Sequence, residues 1–111
     1  MKVLKVKPNK LPKVIEIDDE LETLQGEVGG YIEAVYPFRD NTTLICNEEG
    51  KIIGLPCNRA LYDDGKMIDV ICGDFLIAGL DDDGFASLSD EQIETYTEMF
   101  GADSFFKGFP R

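Results

Sequence analysis

The spacing of hydrophobic and polar residues predicts short β-strands along most of the chain. Leu4 and Val6 alternate with Lys5 and Lys7, which is the period-two pattern of a half-buried strand with a cationic outer face. Further strands are predicted over residues 14–17, 31–38, 43–46 and 51–55. The last two are expected to form a hairpin, with Gly50 at a positive φ in its turn.

A longer hydrophobic stretch at 69–78, DVICGDFLIA, predicts the central strand of the sheet, because it is rich in β-branched and aromatic residues. Gly73 lies inside this stretch and is expected to form a bulge. The segment 59–62 lies between two turn-like sequences and is predicted to be at most one helical turn.

The first helix is predicted to begin after Asp19, since Asp19 and Glu22 match the spacing of a capping box. Leu21, Leu24 and Val28 then recur at positions that share one face of a helix. We therefore expect these three side chains to be buried, and the glycine pair that follows Val28 to end the helix.

The second helix has the clearest local signals. Ser89 and Gln92 match a capping box, and acidic residues occupy the first turn. The residues expected to form its buried stripe are Ile93, Tyr96 and Phe100. Gly101 is expected to end this helix.

Together these elements predict an α+β fold with five to six mostly antiparallel strands and two helices, the second helix packing on the sheet. Residues 1–100 are expected to form one domain, and residues 101–111 a phenylalanine-rich tail. Because disordered tails are poor in aromatic residues, Phe105, Phe106 and Phe109 are expected to bury their rings. They would dock either on this domain or on a second copy, which would make a homodimer.

Length and composition are those of one soluble globular domain. The chain has 111 residues, of which 43% are hydrophobic and 30% are charged. It contains no hydrophobic run near the ~20 residues that cross a membrane, and its lysine-interrupted start does not match a signal peptide. A cytoplasmic protein without a membrane partner is therefore expected.

Charge is distributed unevenly along the chain. It has 11 basic and 22 acidic residues, a net charge of −11, yet residues 1–13 contain five lysines and no acid. Direct binding of nucleic acid is not expected, because phosphate contacts need clustered basic side chains. The acidic remainder suggests a basic protein partner, imitation of nucleic-acid charge, or only improved solubility.

The residues offer little catalytic or metal-binding chemistry. Histidine is absent, so the commonest general base and metal ligand is missing. Cys46, Cys57 and Cys72 lack zinc-ligand spacing, and Cys46 and Cys72 lie in apolar runs typical of buried thiols. The acidic segment 81–84 lacks two anchor positions of a calcium loop and is interpreted as a loop before the second helix. No catalytic residue, metal site or cofactor is expected, and the protein is predicted not to be an enzyme.

Two groups of residues are candidates for binding. Asn58 and Arg59 follow a Pro-Cys turn and could recognise a carboxylate or phosphate, or could instead cap a helix and form a local salt bridge. Asp90, Glu94 and Glu98 recur every four residues on the second helix and could contact a basic partner, or could simply be a solvated face.

The order and spacing of several motifs resemble the domain-of-unknown-function 3846 family over residues 3–100. The motifs are VGGYIE at 28–33, NEEGK at 47–51, LP at 55–56 with NR at 58–59, DVICG at 69–73, FLI at 75–77 and SLSDE at 87–91. The resemblance implies a bacterial protein, often from phage or conjugative-element gene content, with no established activity. No catalytic residue is carried over from the family.

Three functional hypotheses follow. The first is a non-enzymatic accessory protein of a mobile element that binds a protein partner. The second is a module that sequesters a small ligand or nucleotide through the Asn58-Arg59 region. The third is a nucleic-acid mimic that inhibits a DNA-handling enzyme, which would require carboxylates in spaced rows.

Overall fold

A computed structural model describes residues 1–108, which form eight β-strands, two α-helices and a final short 3-10 helix. The strands are β1 (Lys2–Val6), β2 (Lys13–Glu16), β3 (Ile32–Val35), β4 (Thr42–Asn47), β5 (Cys57–Asp63), β6 (Lys66–Cys72), β7 (Phe75–Asp81) and β8 (Gly84–Ala86). The helices are α1 (Leu21–Val28) and α2 (Asp90–Met99), and the 3-10 helix is Ala102–Ser104. The predicted α+β class is confirmed, with more strands than the five or six expected.

Six strands form one antiparallel sheet, in the order β2-β1-β7-β4-β3. Strand β8 pairs with β7 next to the end of β1, so that β1 and β8 share one edge of β7. Strands β5 and β6 form a separate antiparallel hairpin. The strand at the centre of the sheet is therefore β7, which is the second half of the predicted long strand.

The two faces of the sheet carry separate hydrophobic clusters. Leu4 and Leu44 flank Ile77 in register, and they contact side chains from the hairpin and from α2. On the other face, Leu76 and Ile45 pack against α1. The sheet is thus a middle layer, with α1 on one side and the β5–β6 hairpin together with α2 on the other.

Helix α2 has the capping box that its sequence predicts. The Ser89 hydroxyl accepts a hydrogen bond from the Gln92 backbone N–H at 3.1 Å, and the Gln92 side chain accepts one from the Ser89 N–H at 2.9 Å. Tyr96 and Phe100 are buried, and Ile93 packs against the same cluster. The prediction that this helix packs on the sheet is confirmed.

Helix α1 differs from its prediction at the N-terminus. Its N-cap residue is Glu20, and no side chain caps the helix, so the predicted Asp19 capping box is wrong. Leu24 and Val28 are buried as expected, but Leu21 is 58% exposed. Because Leu21 is the first residue of the helix, its side chain extends past the part of α1 that contacts the sheet.

Three predicted segments in the middle of the chain are also wrong. Residues 51–54 are a turn rather than a return strand, and 59–62 belong to β5 rather than to a helical turn. The stretch 69–78 is divided between β6 and β7, which lie in different sheets. Gly73 adopts φ 85° between them, a conformation that glycine reaches without steric cost.

The acidic segment 81–84 is the turn of the β7–β8 hairpin, so β8 lies between it and α2. The Asp81 carboxylate accepts a hydrogen bond from the Asp83 N–H within this turn. Within residues 1–108, neither helix is long and apolar enough to cross a membrane.

Candidate functional site

Arg59 lies in the interior, where its guanidinium joins four separate parts of the chain. Its relative exposure is 0%, although β5 begins at the exposed Cys57 only two residues earlier. The Nε–H group donates to the Ser104 hydroxyl at 2.8 Å. The two terminal nitrogens also donate hydrogen bonds. They donate to the Asn58 side-chain oxygen (2.7 Å) and to the carbonyls of Lys7 (3.4 Å), Lys10 (2.7 Å), Asn58 (3.3 Å) and Phe100 (2.9 Å).

The Asn58 side chain holds the Arg59 guanidinium in place and bonds two further parts of the backbone. Its side-chain N–H groups donate to the carbonyls of Val6 at 2.9 Å and Gly73 at 2.8 Å, and its oxygen accepts from Arg59. The amide therefore connects β1, the corner between β6 and β7, and the guanidinium. Its hydrogen-bonding groups are used within the protein.

These contacts correct the expected environment of Asn58 and Arg59. Both side chains are buried, so neither presents its polar atoms on the surface as a recognition site would require. The alternative of a helix cap with a salt bridge is also wrong in detail, because Arg59 has no carboxylate within 4 Å in the described part of the chain. Burial lowers the pKa of Arg59, and neutral carbonyl oxygens surround its positive charge.

The start of the C-terminal tail packs on this buried guanidinium. The Phe105 ring lies 4.5 Å from the Arg59 guanidinium carbon, which is a cation–π distance, and the two residues form a β-bridge. The backbone N–H of Phe106 donates to the Asn58 carbonyl at 3.3 Å. The tail thus contacts its own domain as far as Phe106, while Phe109 lies outside the described residues.

A cleft beside the β1–β2 hairpin collects most of the lysines near the start of the chain. It has a volume of about 990 Å³, and we call it the lysine cleft. Its lining residues are Lys5, Lys7, Asn9, Lys10, Leu11, Lys13, Ile15, Glu16, Ile17, Glu27, Ala102 and Phe105. The Lys5 ammonium is 2.5 Å from the Glu27 carboxylate, whereas the other three lysines have no carboxylate within 4 Å among residues 1–108.

Sequence reasoning did not identify the lysine cleft as a site, although its signal was present. The +5 charge of residues 1–13 indicated a basic segment, but not that β1 and β2 would fold it around a concavity. The cleft also adjoins the buried guanidinium, since Lys7 and Lys10 give Arg59 their carbonyls and Phe105 lies against it. Asn58 and Arg59 are thus part of the buried interior, and the basic cleft lies at the surface next to them.

The acidic residues predicted on α2 are exposed and lie in one row along the helix. We call Asp90, Glu94 and Glu98 the acidic stripe. No lysine or arginine of the described chain lies within 4 Å of these carboxylates. Residues nearby in the sequence do not neutralise these carboxylates either, because residues 67–106 contain ten acids and no basic residue.

An apolar groove begins where the acidic stripe ends. Its volume is about 590 Å³, and we call it the tail groove. Its lining residues are Phe38, Ala60, Leu61, Tyr62, Met67, Met99, Phe100, Asp103, Ser104, Phe105, Phe106, Lys107 and Gly108. Met99 directly follows Glu98 and is 48% exposed, and Tyr62 is 60% exposed across the groove. The groove therefore adjoins the C-terminal end of the helix that carries the stripe, and we call the stripe and the groove together the α2 surface.

Beneath α2, Tyr96 makes a buried polar contact. Its hydroxyl donates to the Asp40 carboxylate at 2.7 Å and lies 3.1 Å from the Thr42 hydroxyl. Burial, together with the nearby Asp40 charge, raises the pKa of Tyr96 to about 12. This network fixes the inner face of α2 and leaves the acidic stripe facing outwards.

The three cysteines are free thiols in different environments. Cys46 and Cys72 are buried, as predicted, while Cys57 is exposed. Burial raises the pKa of Cys46 to about 11. The Cys72 thiol donates to the Cys57 sulfur at 3.6 Å. Residues 1–108 hold no group of three or more side chains placed to bind a metal ion.

Comparison with known proteins gives one match. Neither a curated protein nor a solved structure matches the chain. The sequence model of a family described as "Domain of unknown function (DUF3846)" matches residues 1–101, which include every strand, both helices and the Asn58-Arg59 pair. The match ends at Gly101, before the 3-10 helix that brings Ser104 and Phe105 to Arg59. The resemblance noted from sequence motifs is confirmed, and the chain belongs to the DUF3846 family.

Proposed function

We propose that the protein is a non-enzymatic accessory protein of a mobile genetic element, and that it binds a basic amphipathic segment of a partner protein through the α2 surface. The observation that carries the proposal is that the tail groove begins at the C-terminal end of α2, the helix that carries the acidic stripe. Placement in a mobile element rests on the family resemblance. The non-enzymatic role rests on the absence of histidine from the chain.

The acidic stripe supplies the electrostatic part of this recognition. Its carboxylates are exposed and have no cationic neighbour within 4 Å in the described chain, so they are free to pair with lysines or arginines of a partner. Like charges at this spacing on one helix repel each other, at a cost of about 0.2–0.5 kcal/mol per pair. A basic partner would relieve that repulsion and would be attracted from a distance at low salt.

The tail groove supplies the apolar part. Met99 and Met67 are flexible, polarisable side chains that adapt to different apolar partners, and Tyr62 and Phe106 add aromatic surface. A partner segment with one apolar face and a row of basic residues would place its apolar side chains in the groove and its charges along α2. Helix-in-groove recognition combines these two features. Duplex imitation would need a second aligned row of carboxylates, which α2 alone does not provide.

A model peptide tests this proposal. We expect a helical peptide of leucine and lysine to bind the protein, and a leucine–glutamate peptide of the same pattern not to bind, when both are titrated by calorimetry at moderate salt. The double substitution Glu94→Lys/Glu98→Lys should weaken binding of the basic peptide at least tenfold. Met99→Ala should weaken it severalfold, because it shortens one wall of the groove.

The matched control reverses two exposed acids elsewhere. Asp18→Lys/Asp19→Lys makes the same change in net charge but lies before α1, which covers the opposite face of the sheet. It should leave binding nearly unchanged. Equal loss in both double variants would mean that the peptide responds to total charge only, and the proposed surface would be wrong.

The lysine cleft favours a second candidate function, capture of a small phosphorylated anion. Three lysines without carboxylate neighbours line a concave surface, and the cleft also has apolar walls. Concave sites with a few convergent polar groups are where small ligands bind. This candidate retains the ligand-sequestering hypothesis but moves it from Asn58 and Arg59 to the surface above them.

Inorganic pyrophosphate is a suitable probe for the lysine cleft. We expect it to bind the unmodified protein, and Lys10→Gln/Lys13→Gln to weaken binding about tenfold, because two ammonium groups are removed from the cleft. The control Lys2→Gln/Lys66→Gln removes two exposed lysines that do not line it. If both variants lose affinity equally, or the unmodified protein binds no pyrophosphate, the cleft is not an anion site.

A further inference from the structure

Cys57 and Cys72 face each other across the β5–β6 hairpin. They are directly opposite in the strand register, and their sulfur atoms are 3.6 Å apart. The backbone N–H of Gly73 donates to the Pro56 carbonyl at 2.8 Å, just outside the pair. That bond marks a non-hydrogen-bonded pair of an antiparallel ladder, in which facing side chains approach most closely.

The two thiols differ in their access to solvent. Cys57 is exposed at the start of β5, so a reagent in solution can reach it. Cys72 is 8% exposed, and its burial, with the neighbouring Cys57, raises its pKa. Cys46 is also buried, on β4 in the main sheet. Reaction with a dissolved oxidant should therefore begin at Cys57, with Cys72 as the adjacent second thiol.

We propose that Cys57 and Cys72 form a reversible redox modification site whose substrate is a low-molecular-weight disulfide such as glutathione disulfide. The Cys57 thiolate attacks one sulfur of the disulfide, forms a mixed disulfide and releases one glutathione thiolate. The Cys72 thiolate then attacks the Cys57 sulfur, forms the protein disulfide and releases the second glutathione. The protein loses two protons and two electrons, and the glutathione disulfide is reduced to two thiols.

Only a small movement is needed to form this bond. The sulfurs must approach from 3.6 Å to about 2.05 Å, and the paired strands already hold the two α-carbons opposite each other. The bond would join the start of β5 to the end of β6, next to Asn58 and the Gly73 corner. It would therefore lock the hairpin against opening at the end that contacts the buried guanidinium.

The test uses the full chain equilibrated with oxidised and reduced glutathione at mildly alkaline pH, quenched with acid and analysed by mass spectrometry. We expect the unmodified protein to lose two hydrogens without retaining glutathione. Tryptic cleavage after Arg39, Lys51, Arg59 and Lys66 places the three cysteines on separate peptides. The disulfide should join residues 52–59 to residues 67–107. Oxidation should also raise the melting temperature by about 5 °C or more.

Single variants separate the two steps. Cys72→Ser should stop at the mixed disulfide on Cys57, and Cys57→Ser should gain no glutathione under the same conditions. Cys46→Ser serves as the matched control and should behave as the unmodified protein does. Persistence of the glutathione adduct in the unmodified protein, or a disulfide that contains Cys46, would overturn the proposal. Failure of Cys57 to react would overturn it as well. A spectrum of the folded state, recorded for each variant, would show that the result does not come from unfolding.

Discussion

Replacing Arg59 with methionine is expected to lower the free energy of unfolding by about 3–5 kcal/mol. Methionine fills a similar space but donates no hydrogen bond. The carbonyls of Lys10 and Phe100 and the hydroxyl of Ser104 would lose the bonds they accept from the guanidinium in the interior. Since a small domain is stable by only about 5–15 kcal/mol, this single change would remove a large part of its stability.

Chemical denaturation measures this effect, and two further variants make it specific. Arg59→Lys should also destabilise the protein, because one ammonium group cannot reproduce the planar fork that reaches acceptors on several sides. Arg39→Met removes an exposed arginine and should change stability by less than about 0.5 kcal/mol. A loss no larger in Arg59→Met than in Arg39→Met would show that the buried network contributes little.

The role of Arg59 could not have been predicted from its neighbours in the sequence. Four of the groups that accept its hydrogen bonds lie 41 to 52 residues away, on the loop after β1, at the end of α2 and in the tail. None of them is a carboxylate, so the sequence carries no charge pattern that would pair with it. An arginine beside a turn is typical of a surface site, and only the packing of three distant segments makes it internal.

Helix α2 and strand β5 show why some elements are predictable and others are not. The start of α2 depends on Ser89 and Gln92, which are three residues apart. Because this capping box forms between residues close in sequence, it can be predicted without knowledge of the tertiary structure. Strand β5 has irregular pairing between Cys57 and Arg59 and again between Leu61 and Tyr62. These irregularities break the alternation of inward and outward side chains, so the period-two pattern that reveals a strand is absent.

The corner at Gly73 and the two candidate surfaces show a related limit. The stretch 69–78 is almost continuously hydrophobic because the end of β6 and most of β7 are buried, and a run with so few polar residues does not show where one strand ends. Similarly, the acidic stripe was evident from its spacing on α2. The tail groove beside it was not, because β5, β6, α2 and the tail each contribute only part of its lining.

Gly50 provides the second large expected effect, since Gly50→Ala should destabilise the protein by about 1–3 kcal/mol. The sequence suggested a positive φ at this position, but Gly50 does not have one. Its requirement is space: an added β-carbon would lie 2.5 Å from the carbonyl oxygen of Cys72. That atom belongs to the backbone of β6, so the turn at 51–54 would have to move away from the hairpin.

Gly26→Ala is the matched control, with an effect of opposite sign. Gly26 lies inside α1, has no atom within 4 Å of an added β-carbon and does not have a positive φ. Alanine there should stabilise the protein by about 0.5–1 kcal/mol, because it reduces the backbone freedom lost on folding. Denaturant midpoints of the two variants should therefore move in opposite directions from that of the unmodified protein. The denaturant midpoint of Gly50→Ala could instead equal or exceed that of the unmodified protein. In that case the added β-carbon would not clash with the Cys72 carbonyl, and the 51–54 turn would not lie so close to β6.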